Sequence, residues 1–307
     1  MRVRTLIAGL GVVALAGAVA FYVLTIPKVV ATGALPAHTP DLANGETLFN
    51  IGGCASCHAT PKQDDKKRLG GGLALETPFG TFLVPNISSD SGHGIGAWTE
   101  AAFVNAMLRG VGRNGEHLYP AFPYTSYQRM KLDDVRDLFA FLKTLPAETT
   151  PSPPHQLAFP FNVRRGLGLW KLLYLDGAMF LPDASKSAAL NRGAYLVEGP
   201  GHCAECHSPR DMFGGLIPGR RFAGGIDAEG KGWVPNITPH ADGLAKWSEK
   251  DIAYLLETGS TPDFDSVGST MADVAANTGK LSPEDRAAMA AYIKSLPPRP
   301  GKNPKKK

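Results

Sequence analysis

Four cysteines and two histidines carry the strongest chemical signal in this chain. Cys54, Cys57 and His58 form one C-x-x-C-H run, and Cys203, Cys206 and His207 form a second. Together the two runs hold all 4 cysteines of the sequence. The spacing suits a c-type haem: two vinyl-derived thioethers reach the cysteines, and the next imidazole reaches the iron. Two other chemistries use paired cysteines. A zinc site needs four ligands, with a second pair close by. A thioredoxin-like pair expects a strand–helix setting and needs no histidine. Two such runs at equivalent places in a duplicated chain favour two covalently bound haem c groups over both.

The second axial ligand decides what such a haem can do. A thioether closes the iron and raises its potential, whereas an empty position invites ligands. In the second half Met271 is the candidate, within an irregular Gly-Ser-Thr-Met-Ala stretch well before a last helix near Ser282. Met289 shares a stripe with Ile293 and Leu296 and reads as core, and Met212 follows His207 too soon to loop around it. In the first half Met130, just before the final helix, is the candidate. Met107 sits beside Phe103 in a helix and reads as core; His93 and His117, on loops, are the bis-histidine alternatives. The expected iron ligands are therefore His58 with Met130 and His207 with Met271. His38, His155, His202 and His240 read as solvated or locally hydrogen-bonded. Trp98, Trp247, Tyr119 and Tyr124 divide evenly between haem contact and ordinary core, and Asn86 and Asn236 between a turn and a haem contact.

The elements that must position these residues come in two copies. NGETLFNIGGCASCHAT from Asn44 resembles NRGAYLVEGPGHCAECHSP from Asn191, VPNIS from Val84 matches VPNIT from Val234, and Trp98 matches Trp247. The offsets are 149, 150 and 149 residues, so a whole domain is duplicated. Apolar spacing predicts helices over residues 46–53, 99–109 and 132–145, then 248–259 and 282–296, with Thr99 and Ser282 as caps. Pro146 and Pro297 stop the final helices, and no strand pattern is sustained. The expected fold class is all-α: two tandem class I-like cytochrome c domains after an N-terminal transmembrane helix. The expected division is an anchor over 1–27, a linker over 28–43, domain 1 over 44–147, a Pro-rich and apolar linker over 148–187, domain 2 over 188–298 and a basic tail over 299–307.

The membrane segment is an uncharged apolar run over residues 5–26, about 33 Å long as a helix at roughly 1.5 Å per residue. Ala18-Val19-Ala20 offers a signal-peptidase pattern, but the run continues past it, which favours an uncleaved anchor. Arg2 and Arg4 before the run favour a cytoplasmic N-terminus. The expected location is the cytoplasmic (inner) membrane, single-pass, with the haem domains in the periplasm. Export fits haem attachment, which occurs outside the cytoplasm. A net charge of +4 in 307 residues is too weak for a nucleic-acid protein. It is also unevenly placed: Arg2 and Arg4 open the chain, and Lys302, Lys305, Lys306 and Lys307 close it.

At this point the chain resembles the multihaem cytochrome c subunit of membrane-bound bacterial alcohol and gluconate dehydrogenases. The resembling residues are GGCASCHAT, VPNIS, MLRGVGRNGEHLYPAFPYTSYQRM, FPFNVRRGLGLWKLLYL, CAECHSPR and VPNIT, spanning about residues 45–297. The resemblance implies electron transfer from a dehydrogenase catalytic subunit toward quinone or a terminal oxidase, and it favours Met130 and Met271 as ligands. The chain has two haem motifs where the best-known subunits have three. The alternative is an enzyme, the di-haem cytochrome c peroxidase. That family places a histidine soon after the first motif, whereas here none occurs between His58 and His93.

Overall fold

The apolar N-terminal run forms helix α1 (Arg2–Leu24), and its residues project outward rather than into a core. The computed structural model describes residues 2–301 and 303. Lys302, Lys305, Lys306 and Lys307 of the expected basic tail lie outside the described residues. Among the described residues α1 is the one helix long and apolar enough to cross a membrane.

The first module contains α2 (Leu42–Ile51), α3 (Cys54–His58), α4 (Glu100–Arg109), α5 (Tyr124–Tyr127) and α6 (Leu132–Thr144). A linker helix α7 (Leu167–Tyr174) follows. The second module repeats the plan with α8 (Ala188–Glu198), α9 (Cys203–His207), α10 (Glu249–Thr258), α11 (Thr270–Thr278) and α12 (Pro283–Ser295). The caps follow from side-chain chemistry. Thr99 accepts from the Ala102 amide, Ser282 from Asp285, and Ser248 with Asp251 closes a capping box. Asp41 caps α2, which therefore begins four residues earlier than its apolar spacing predicts.

Each module is held by its first helix crossing its last: α2 against α6, and α8 against α12. Small residues sit at the crossings. A Cβ at Gly45 would lie 2.7 Å from that of Phe141, and one at Gly193 would overlap the Ala288 carbonyl. Around these crossings pack Leu48, Val135, Leu138 and Leu142 in the first module, and Tyr195, Leu196, Met289 and Ile293 in the second.

The helical expectation needs one addition. Two antiparallel ribbons are present, β1 (Ala74–Thr77) with β2 (Gly80–Leu83), and β3 (Gly225–Ile226) with β4 (Trp233–Val234). Strands of four and two residues are too short to leave an alternating pattern in a sequence. They bring the repeated VPNI segments back beside the haem motifs. Asn86 and Asn236 serve the turn there. Each accepts an amide from two residues on, Ser88 and Thr238, while its side-chain nitrogen donates to the chain beyond the last helix, at Glu148 and Thr150 or at Arg299.

Candidate functional site

In both modules the C-x-x-C-H run is itself a short helix, so its two cysteines lie one turn apart and project from one side. A left-handed residue precedes each: Gly53 at φ 57° and His202 at φ 39°. None of the four cysteines is paired in a disulfide. Burial pushes Cys54 and Cys203 up to about 12, the opposite of the depressed value that a redox-active thiolate needs. Among the described residues no group of three or more His, Cys, Asp or Glu is arranged to hold a metal ion, so the zinc reading has no ligand set.

The histidines are oriented identically. His58 Nδ1 donates to the Pro85 carbonyl at 2.8 Å, and His207 Nδ1 donates to that of Pro235 at 2.8 Å. A carbonyl acceptor fixes the tautomer and leaves the Nε2 lone pair for a metal. Burial lowers both imidazoles, His58 to about 4, which keeps the rings neutral. The prolines belong to the repeated VPNI segments. A second pair of bonds locks each site, from the Gly71 amide to the His58 carbonyl and from Gly224 to His207, both at 2.8 Å. Gly71 and Gly224 have φ of 70° and 74°, and a side chain at either would strike the proline segment. Two thiols on one side and an imidazole with a free Nε2 make a donor set that fits haem c.

The two motifs face one another through a reciprocal exchange. Thr125 and Ser126 of α5 both donate to Glu205 Oε1 at 2.7 Å, and Glu205 lies between the cysteines of the second motif. Asn277 of α11 donates to Ser56 Oγ at 2.9 Å, and Ser56 lies between the cysteines of the first. Glu205 and Ser56 are 149 residues apart, the repeat offset, so each module grips the same position of the other's motif. Arg210 pairs with Glu205 Oε2 at 2.8 Å and, with the two hydroxyls, holds this buried carboxyl below its usual value against the cost of desolvation. His202 donates to the Gly52 carbonyl at 3.2 Å and lies edge-on to Tyr127. Glu205 and Ser56 carry no signal in the sequence, because nothing local distinguishes the two intervening residues of a C-x-x-C run, and Asn277 carries none because its partner is 221 residues away.

The candidate axial methionines occupy different settings. Met130 is 1% exposed, between α5 and α6, while Met271 is half-buried in the first turn of α11, a helix where the sequence predicts irregular chain. Subtracting the offset of 149 from Met271 gives Phe122, not Met130, so the modules do not place their methionines equivalently. Met107 and Met289 are buried in the core as expected, and Met212 is exposed. His93 is exposed on its loop.

His117 is excluded as a ligand by its own bonds. Its Nε2 donates to the Thr25 carbonyl at 2.8 Å, which leaves Nδ1 to accept from the Lys171 amine at 3.1 Å. Tyr119 and Tyr124 likewise serve the linker: Tyr119 donates to the Phe161 carbonyl, and Tyr124 packs against Trp170 and Lys171. This junction should respond to pH. Burial first, then the Lys171 and Arg165 charges, lower the His117 pKa below 6.5. Burial also brings the Lys171 amine down to about 7. Both groups bind fewer protons folded than unfolded, so stability rises with pH. The His117 contribution is complete above about pH 6.5 and is lost as pH falls toward its folded value. Amide exchange in residues 163–175 should therefore quicken, relative to its intrinsic rate, between about pH 8 and pH 5.5. Protection unchanged across that range would contradict the assignment.

Comparison with known proteins matches these observations. The family model described as "Cytochrome c" matches residues 42–146 and 190–297. A protein described as "Diheme cytochrome c-type" from Cereibacter sphaeroides is 48% identical over 96% of this chain and 98% of its own length. The fructose dehydrogenase cytochrome subunit of Gluconobacter japonicus is 35% identical over 85% of this chain and 54% of its own length. The cytochrome c subunit of the quinone alcohol dehydrogenase of Gluconobacter oxydans is 35% identical over 89% of this chain and 59% of its own length. The chain thus spans a little over half of those two dehydrogenase subunits. Its duplicated helical modules, each built around a C-x-x-C-H helix, place it in the cytochrome c family, as a di-haem electron-transfer cytochrome with two covalently bound haem c groups.

Proposed function

We propose that this cytochrome is a membrane-anchored, periplasmic electron carrier that takes electrons from a dehydrogenase catalytic subunit and passes them toward quinone or a terminal oxidase. Cys54 and Cys57 would hold the first haem through thioether bonds, with His58 and Met130 as the residues that would bind its iron. Cys203 and Cys206 would hold the second, with His207 and Met271. Domains over 44–147 and 188–298 house them, α1 anchors them, and Arg2 and Arg4 keep the N-terminus cytoplasmic. Haem held there would supply one-electron chemistry at its iron. The chain's own residues do the rest. The Pro85 and Pro235 carbonyls hold the imidazoles in one tautomer, and burial keeps those rings neutral.

The observation that carries this reading is the reciprocal grip of α5 on Glu205 and α11 on Ser56. It holds the two cysteine-bearing edges toward each other, the arrangement that short inter-haem electron transfer needs. A peroxidase instead requires one iron with an exchangeable position. The reduced full-length protein should therefore bind no carbon monoxide and turn over hydrogen peroxide no faster than free haem peptide, while accepting two electrons per chain. Stoichiometric carbon monoxide binding with rapid peroxide turnover would replace this reading with the peroxidase.

A further inference from the structure

Helix α7 is inside out for a water-soluble surface. Its one basic side chain, Lys171, points inward and donates to the Arg109 and Gly110 carbonyls at 2.8 and 2.6 Å. Its leucines point outward: Leu169, Leu172 and Leu173 are 41%, 54% and 71% exposed. These three fall at i, i+3 and i+4, so they form one continuous stripe. Phe159 and Leu181 on the flanking linker are exposed too, each 81%. In the second module Trp170 Nε1 donates to the carbonyl of the exposed Phe213 at 2.9 Å. So many large apolar side chains exposed on one segment mark an interaction site.

Its position identifies the occupant. Gly168 of α7 packs directly on Thr25, the residue after the apolar helix α1 ends, and a Cβ there would lie 2.6 Å from the Thr25 backbone. Arg165 donates to Thr25 Oγ1 at 2.8 Å and to the Tyr22 carbonyl at 2.9 Å, with its guanidinium over the Tyr22 ring. The chain leaving α1 is fixed to the first module too, because the Asn105 amide pairs with both backbone groups of Val30. An apolar helix about 33 Å long crosses a hydrocarbon layer of about 30 Å and no more. Tyr22 and Thr25 therefore lie at the headgroup level, and α7, packed on Thr25, lies there with them. An aromatic pair at this depth, Trp170 with Tyr174 at a ring separation of 4.7 Å, fits the composition of a bilayer interface.

We propose that α7 and its flanking linker form a second, monotopic membrane contact, with the Leu169–Leu172–Leu173 stripe seated in the outer leaflet beside the exit of α1. This rests on the reading of α1 as a membrane anchor. A single span leaves an attached domain free to swing, whereas a span and an interfacial helix fixed to one another set both tilt and height. The two haem motifs, held rigidly to each other, would then keep one orientation to the bilayer.

The test is site-directed photocrosslinking in native membranes. A diazirine-bearing residue replaces Leu173, Val12 or Lys250 in three otherwise intact full-length chains, and the haem spectrum reports correct folding of each. Phospholipid adducts at Leu173 and Val12, both about tenfold above those at exposed Lys250, are the expected result. Lipid adducts at Val12 with none at Leu173 would overturn the proposal and leave the anchor intact. So would capture of a second copy or of a dehydrogenase subunit by Leu173 in place of lipid. A lack of lipid adducts at Val12 would overturn the anchor reading, and the proposal with it.

Discussion

Met271→His lowers the reduction potential of one haem by on the order of hundreds of millivolts and leaves the other unchanged, because axial ligands command a range of about 0.8 V. The second imidazole donates more strongly to ferric iron than a thioether does, so it favours the oxidised state. The methionine-to-ferric-haem absorption band of that site should disappear at the same time. Position supports the assignment. Met271 is half-buried in the first turn of α11, just after Ser269 turns the chain at φ 54°, and the same helix carries Asn277 to the other motif. Met130→His is the independent arm and should move the other potential. Redox titration of each variant decides each ligand separately. A variant with an unchanged potential and an intact band loses its assignment.

Met271 also shows where the sequence was readable and where it was not. The haem motifs, the duplication and the long amphipathic helices follow from residue types at fixed spacing. Thr99 and Ser282 are found by local capping chemistry and are found correctly. Helix α11 was not visible because TMADVAANT is short, mostly small or polar residues, and its N-cap makes no side-chain bond. The pieces that join modules are long-range and leave no local trace. Glu205 reaches residues 125 and 126, Asn277 reaches residue 56, and Lys171 reaches a histidine that otherwise resembles a free loop ligand. The exposed stripe of α7 reads in sequence only as part of an apolar linker, since apolar spacing alone does not say what such a segment faces.

Gly193→Ala should lower the stability of the second module by about 3 kcal/mol, at the upper end of what overpacking costs. The sign is the informative part. In an ordinary helix interior, alanine for glycine gains about 1 kcal/mol because the unfolded chain loses less entropy on folding. Gly193 lies where α8 crosses α12. A Cβ there would overlap the Ala288 carbonyl and stand 3.0 Å from the Met289 nitrogen. Backbone cannot rotate aside as a side chain can, so the helices must part. Parting them loosens Tyr195, Leu196 and Val197 against Met289, Ala290 and Ile293, all buried. The first module, crossing separately at Gly45, should keep its stability. Gly166→Ala is the control: no atom stands within 4 Å and its φ is −59°, so alanine there should be neutral or mildly stabilising. Thermal unfolding of the full chain, followed through the axial-ligand bands of the two haems, separates the modules. If Gly193→Ala melts at or above the unmodified protein, the α8–α12 crossing is not what holds the second haem domain together.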